Sequence, residues 1–287
     1  MDKQVVKSNH VIEASYRLTL NEQRLILLCI QQISKGQAIT PQTGFNIRAS
    51  ELIESFGMNP KNAYSELKDV SEVLFNRFLT IYQPDPEEPK LESTRTRWIT
   101  AIDYIPDEGR VKLYFAHKVI PYISMLESGF TRYNLAYVAN MNSVYGMRFY
   151  ELFKCWLMGD KSKTKTIGID DLKDLLDLKG QYPSIKDFKK YVLDKGLDDV
   201  NQHTDLKAAY ETKKTGRRIT DLEFVIKLKG DTKPKQEVKP VPKPSTQTKV
   251  ESVDNDKGSK AELEHLKKLA ALGGVPLESL LKPAKKA

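Results

Sequence analysis

The sequence predicts an α+β protein made of two tandem winged-helix domains followed by a largely disordered C-terminal tail. Three observations predict this. An order of three helices and a two-stranded hairpin occurs in the first half and again in the second. A length of 287 residues favours two compact domains. The last part of the chain is rich in proline and lysine. We expect domains at residues 1–130 and 131–229, and a tail at 230–287.

Two helices open the first domain. Thr19 and Glu22 have the spacing of a capping box, and the apolar residues that follow recur at helical intervals until Gly36. A second, short helix is predicted over residues 49–56, because Gly57 supplies a typical C-terminal stop.

A third helix and a hairpin complete the predicted first domain. Asn59-Pro60 provides an N-cap followed by proline, and the apolar stripe behind it continues to about Phe78. Apolar residues then alternate over residues 98–104 and 111–115, with a Pro-Asp-Glu-Gly turn between them. This arrangement predicts a helix-turn-helix with a wing.

The second half has the same order of elements. We predict a support helix over residues 143–157, a short helix over 169–178 and a longer helix that begins at Ser184 after a glycine-containing turn. A hairpin follows, with strands at about 206–212 and 222–228. The segment 117–140 connects the two domains.

The tail has a composition that buries too little apolar surface to fold. Near its end are leucines that fit short amphipathic helices, at positions 263, 266, 269, 277, 280 and 281. Isolated helices of this length are marginal, so a weakly structured tail is the simpler interpretation.

Composition excludes several classes of protein. The longest apolar run, residues 25–30, is far shorter than the ~20 residues that cross a bilayer, and no secretory signal opens the chain, so we expect a cytoplasmic protein without membrane contact. We expect Cys29 and Cys155 to be buried, reduced thiols, because both lie in apolar helical patterns. The net charge of +8 leaves nucleic-acid binding to local clusters of cations.

The first such cluster lies on the third helix of the second half. Lys186, Lys189 and Lys190 stand at positions i, i+3 and i+4, so they share one helix face. Ser184 opens the helix, where backbone amides can meet a phosphate. The layout is that of a recognition helix in the major groove, although a solvated lysine face is an alternative.

A second cluster decides between these interpretations. Lys213, Lys214, Arg217 and Arg218 surround Gly216 at the predicted hairpin turn. In a winged helix this turn lies beside the recognition helix, so both clusters face one side. The sequence therefore predicts double-stranded DNA binding, with phosphate contacts from the wing and base contacts from the helix.

The first half carries fewer candidates. Lys61 and Lys68 lie on its third helix among acidic residues, and Arg95 and Arg97 lie on the strand that enters its hairpin. We expect a supporting backbone contact or a dimer interface here, since an exposed hairpin edge can pair with a second copy.

Signals for catalysis are missing. Gly159-Asp-Lys-Ser162 lacks the glycines of a phosphate-binding loop, and the four histidines are isolated. An aspartate group at residues 170–177 fits a helix N-terminus better than a Mg²⁺ site. We therefore expect no catalytic residue, no cofactor and no metal.

One stretch closely resembles the opening signature of the iteron-binding plasmid replication initiators, the tandem winged-helix Rep proteins. It reads Lys7-Ser-Asn-His-Val-Ile-Glu-Ala-Ser-Tyr-Arg-Leu-Thr-Leu-Asn-Glu-Gln-Arg-Leu-Ile-Leu27. Residues 143–152, 187–194 and 210–224 resemble that family's second support helix, recognition helix and wing. The resemblance covers about Val5 to Leu228.

The resemblance implies an initiator whose monomers bind direct repeats at a plasmid origin and help to melt adjacent DNA. It also implies that dimers repress the initiator's own gene, and that a host initiator and the replicative helicase are partners. Two alternatives stay open at this point: a winged-helix transcriptional regulator without initiation activity, and a nicking replicase with a divalent metal.

Overall fold

The computed structural model describes residues 4–83 and 88–230, and these residues belong to one compact unit. They form two winged-helix domains of mixed helix and sheet, which confirms the predicted fold class. The predicted tail and its leucines lie outside the described residues, apart from Gly230.

The first domain contains three small antiparallel sheets, with strand orders β1-β8, β2-β4-β5 and β3-β7-β6. Its strands and helices are β1 (Gln4–Ser8), α1 (Asn9–Ile12), β2 (Ser15–Tyr16), α2 (Leu20–Ile30), β3 (Gly44–Arg48), α3 (Ala49–Phe56), α4 (Ala63–Phe75), β4 (Phe78–Tyr82), β5 (Ser93–Arg97), β6 (Ile99–Ile105), β7 (Arg110–Phe115), β8 (Phe130–Asn134) and α5 (Ala136–Ala139).

Local signals in the first domain mostly match the prediction. The capping box of Thr19 and Glu22 is present in both directions at the start of α2. Helix α3 ends at Gly57, whose φ of 66° lies in the left-handed region that glycine adopts without strain. Strands β6 and β7 form the predicted hairpin, with Val111 and Leu113 buried.

Two predictions for the first domain are wrong. Helix α4 begins at Ala63 and ends at Phe75, and Phe78 instead opens strand β4, where Leu79 and Ile81 are buried in alternation. Buried residues alternate with more exposed ones over five positions, which indicates a strand, and this pattern outweighs the fit of Phe78 alone to the apolar stripe of the helix.

The strand that carries Arg95 and Arg97 was expected to enter the hairpin of β6 and β7. It pairs with β4 as strand β5, in a different sheet. The connecting segment also has structure that the sequence pattern did not reveal: its strand β8 pairs with β1, so the chain's opening residues close onto the end of the domain.

The second domain contains one sheet of order β10-β11-β9. Its elements are α6 (Val144–Leu157), β9 (Ser162–Gly168), α7 (Ile169–Leu175), α8 (Ile185–Phe188), a π-helical turn (Lys189–Asp194), α9 (Lys195–His203), β10 (Leu206–Thr215) and β11 (Arg218–Leu228). Helix α8, the π turn and α9 are continuous, and we call them the 185–203 helix. Strand β9 was missed because lysine and threonine alternate along it without an apolar face.

A buried ionic cluster joins the N-terminal segment to helix α6. Lys7 Nζ lies 2.7 Å from Glu151 Oε1, and both side chains are at most 4% exposed. Tyr133 also donates a hydrogen bond to Glu151. Burial alone would lower the pKa of Lys7 and raise that of Glu151. The attraction and hydrogen bond within the pair, together with Tyr16 for Lys7 and with Arg148 and Tyr133 for Glu151, outweigh burial, so the pKa of Lys7 is raised and that of Glu151 is lowered.

Arg148 extends this connection to helix α7. Its guanidinium donates to the carbonyl oxygens of Ile12, Ala14 and Leu175 at 2.9–3.0 Å and lies 3.7 Å from the ring centroid of Tyr16. Three backbone segments therefore meet at one buried cation. These contacts set the position of the second domain's helices against the N-terminal segment.

Candidate nucleic-acid interface

The 185–203 helix buries one side and exposes lysines on another. Phe188 and Val192 are fully buried, whereas Lys186 and Lys190 are exposed and Lys189 is half-buried. The helix widens into a π turn from Lys189 onward, a feature that often occurs at functional sites. The three predicted lysines are therefore available along one edge of the helix, although to different degrees.

Strand β10 packs directly beside this edge. Lys189 Nζ lies 5.7 Å from the ring centroid of Tyr210, and the Tyr210 hydroxyl donates to Asp194 at 2.7 Å. Burial, and then the hydrogen bond to Asp194, raise the pKa of Tyr210, which stays a neutral donor. The structure thus brings the helix into contact with the first wing strand at Tyr210, the strand that continues to the cationic turn.

The wing presents its cations at the tip of the β10–β11 hairpin. The register shifts between Lys213 and Lys214, and Gly216 turns the chain with a φ of 63°. Lys214, Arg217 and Arg218 are exposed and make no ion pair with the residues that the structure describes.

Lys213 differs from its neighbours. Its Nζ lies 2.8 Å from Glu223 Oε1 on β11, and this hydrogen-bonded pair raises the pKa of Lys213. Part of its charge is therefore already balanced within the wing.

Ser184 stands at the N-cap of α8 and is exposed. Its hydroxyl makes no capping hydrogen bond, so it is available to a ligand. The helix, the wing tip and this serine lie in one domain and on adjoining elements.

The four first-domain candidates do not form a comparable cluster. Lys61 and Lys68 are exposed, and Lys68 Nζ lies 5.7 Å from the Tyr104 ring. Arg95 stacks over Phe78, which is 41% exposed, at 4.9 Å. Lys68 and Arg95 therefore contact aromatic rings of their own domain.

Arg97 is the most strongly engaged of the four. Its Nη1 donates to the carbonyl oxygen of Phe75 at 2.6 Å and to Asn76 Oδ1 at 3.2 Å. It therefore satisfies acceptors at the end of helix α4, where backbone carbonyls lack helical partners.

Sequence reasoning missed Tyr191 and Lys195 on the 185–203 helix. Tyr191 is 41% exposed, and the ammonium groups of Lys190 and Lys195 lie 5.0 and 5.8 Å from its ring centroid. An aromatic residue between lysines, off the apolar stripe, was the available signal. Tyr191 and Lys195 extend the exposed, lysine-bearing surface of this helix.

Within residues 4–83 and 88–230 no group of three or more His, Cys, Asp or Glu side chains is placed to hold a metal ion. Over the same ranges no helix is long and apolar enough to span a bilayer. Cys29 and Cys155 are buried free thiols, as predicted, and burial raises the pKa of Cys155 to about 12.

Two winged-helix domains, one with a cationic helix and wing side by side, define a tandem winged-helix protein of the DNA-binding class. Comparison with family models identifies the particular family. The model described as "Initiator Replication protein, WH1" matches residues 4–154, and "Initiator Rep protein, WH2" matches residues 168–226. The chain belongs to the initiator replication protein family.

Individual relatives agree with this assignment. A "Replication initiation protein" of Escherichia coli is 25% identical over 232 residues, covering 78% of this chain and 69% of that protein. The "PI protein" of Escherichia coli is 26% identical over 255 residues, covering 78% and 81%. A crystal structure of the Pi initiator protein in complex with iteron DNA is 25% identical, with a TM-score of 0.67, and covers 80% of this chain and 99% of that one.

Proposed function

We propose that this protein initiates plasmid replication by binding direct repeats, or iterons, at the origin through the second domain. The observation that carries the proposal is the contact of Lys189 with Tyr210, which links the lysine-bearing helix to the strand that leads into the cationic wing tip. Membership of the initiator family supports the same conclusion, as does the Pi initiator, a relative crystallised with iteron DNA.

In this proposal the two domains contribute unequally. Lys186, Lys189, Lys190 and Ser184 face the major groove of one repeat. The wing residues Lys213, Lys214, Arg217 and Arg218 contact the flanking phosphates. In the first domain Lys61, Lys68, Arg95 and Arg97 supply auxiliary backbone contacts or border a dimer interface; the first three are exposed and Arg97 is half-buried.

Initiation in this proposal needs no covalent step, metal or cofactor. Several monomers on adjacent repeats bend the duplex and favour opening of neighbouring DNA, and binding free energy supplies the work. A host initiator and the replicative helicase complete the melting in the cytoplasm. Homodimers, in contrast, bind an inverted repeat and repress the gene.

The decisive experiment compares DNA carrying tandem repeats with DNA carrying one copy, using electrophoretic mobility shifts and permanganate detection of unpaired thymines on supercoiled origin DNA. We expect stepwise occupancy of the repeats and reactive thymines beside them. Binding of a single operator without opening would instead indicate a transcriptional regulator. Open circles formed with Mg²⁺ would indicate a nicking replicase.

A further inference from the structure

The sheet of the second domain has an outer face that no described element covers. Strand register places three cross-strand pairs of β10 and β11 in successive rows on this face. The rows are Lys207 with Lys227, Ala209 with Val225, and Glu211 with Glu223. Lys207, Lys227, Ala209 and Glu211 are exposed, and Val225 and Glu223 are half-buried.

The charges of these rows are unusual for an isolated sheet. Like charges directly opposite each other on antiparallel strands destabilise the pairing. Here two lysines face each other in one row and two glutamates in another, about 14 Å apart because four residues at about 3.4 Å separate them. That distance is too long for the rows to neutralise each other.

The surrounding residues balance the rows only in part. Lys213 pairs with Glu223 at 2.8 Å. Within the described part of the chain, Lys207 and Lys227 have no carboxylate at ion-pair distance, and Glu211 has no cation at that distance. A lysine row, a small-residue row and a glutamate row are therefore left facing outward.

We propose that this face docks against the same face of a second copy of the chain. A two-fold axis along the Ala209–Val225 row, perpendicular to the strands, exchanges the two charged rows. It places Lys207 over the partner's Glu211 and Lys227 over the partner's Glu223, and repeats both pairs by symmetry. A two-fold axis parallel to the strands would leave lysines level with lysines. Charge complementarity therefore selects one orientation.

The face is too small for a permanent dimer. Three strands about 4.8 Å apart and about 20 Å long cover roughly 300 Å² per copy, against about 800 Å² per partner in a typical stable interface. The contact is weak in free solution and becomes populated when copies are held together. The two halves of an inverted repeat, which are themselves related by a two-fold axis, would do this, a consequence that rests on the proposed function, whereas the contact itself does not.

Cysteine cross-linking of the full-length chain without DNA tests the geometry. Ala209 lies on the proposed axis, so Ala209→Cys lies about 10 Å from its own counterpart, the spacing of sheets packed face to face, and within the span of a short bis-maleimide cross-linker. Thr166→Cys, on the same face but one row away, is displaced from its counterpart by a further ~14 Å along the strands, about 17 Å in all, beyond that span.

With a short bis-maleimide at low salt we expect at least about tenfold more covalent dimer from Ala209→Cys than from Thr166→Cys, because only the first pair lies within the span of the reagent. Native Cys29 and Cys155 are buried and serve as the background. Equal yields from the two variants would overturn the proposal.

Charge reversal tests the pairing of rows in the Ala209→Cys background. Lys207→Glu with Lys227→Glu makes the face acidic, and Glu211→Lys with Glu223→Lys makes it basic. Each variant alone should lose cross-linking, and an equal mixture should regain it as a heterodimer that is weakened by 0.5 M salt. Failure of the mixture to recover would overturn the proposal. So would unchanged cross-linking accompanied by weaker repeat binding, since the face would then contact DNA.

Discussion

Charged residues differ in burial and in ion pairing between two regions of this molecule. Between the N-terminal segment and helix α6, Lys7 and Glu151 are buried and directly paired. On the wing tip, Arg217 and Arg218 are exposed and make no ion pair with described residues. A buried charge without its partner is strongly destabilising, whereas an exposed cation is free to meet a phosphate. The first region therefore maintains the structure, and the second remains available for a ligand.

The first-domain cations lie between these extremes. Arg97 is half-buried and bonded to the end of helix α4, while Lys61 stays exposed. A basic residue of the first domain thus has a structural role when a hydrogen-bond acceptor, such as the Phe75 carbonyl beside Arg97, lies within reach of its side chain. Four variants test this contrast.

The largest effect is expected from Lys7→Met. It removes the cation that is hydrogen-bonded to the buried Glu151 carboxylate, so the free energy of unfolding should fall by about 3–5 kcal/mol. Urea unfolding measures this. Lys190→Met, at an exposed lysine of the 185–203 helix, is the control and should leave stability unchanged. Equal stabilities of the two variants would remove the contrast between the regions.

The combined change Arg217→Ala and Arg218→Ala should act on DNA alone. Loss of two phosphate contacts lowers the slope of log affinity against log salt by about 1.8, at about 0.9 per contact. Titrations of a repeat duplex at several salt concentrations measure the slope. Arg132→Ala removes an exposed arginine from β8 and serves as the control. An unchanged slope would exclude the wing from the interface.

Arg97→Ala should behave as a structural variant. Losing the hydrogen bonds to Phe75 and Asn76 should lower the free energy of unfolding by about 1 kcal/mol. The salt slope should stay as in the parent protein, because Arg97 is bonded within its own domain, whereas the matched change Lys61→Ala, at an exposed lysine, should lower the slope by at most about 0.9. A lower slope with intact stability would assign Arg97 to DNA binding instead.

The smallest effect is expected from Lys213→Ala. Because Glu223 already balances Lys213, its removal should change the salt slope by less than the loss of Lys214 does. Parallel titrations of Lys213→Ala and Lys214→Ala measure the difference. Equal losses would mean that the ion pair opens when DNA binds.

Much of the fold was predictable because the signals are local. The capping box at Thr19, the glycine stop at Gly57 and the alternating hairpin strands depend on a few neighbouring residues. Strand β9 was not predictable in this way. Its alternating lysines and threonines acquire strand geometry only by pairing with β11.

The candidate site was predictable to a similar extent. The spacing of Lys186, Lys189 and Lys190 and the glycine-centred turn identified a helix and a wing. The sequence did not reveal that Tyr191 joins the exposed surface or that Arg97 is bonded to α4. Both facts depend on which side chains lie nearby in space, and sequence spacing does not give that.

The sequence by itself determined the tandem order of helices and hairpins, since hydrophobic periodicity and turn residues act over short stretches. It also contained the signature at residues 7–27, whose role only the tertiary structure decided. Folding brings Lys7 to Glu151, 144 residues away, and brings the backbone of Ile12 and Ala14 to Arg148. The physical reason is burial: once water is excluded, each charge needs a partner, and long-range packing alone supplies it.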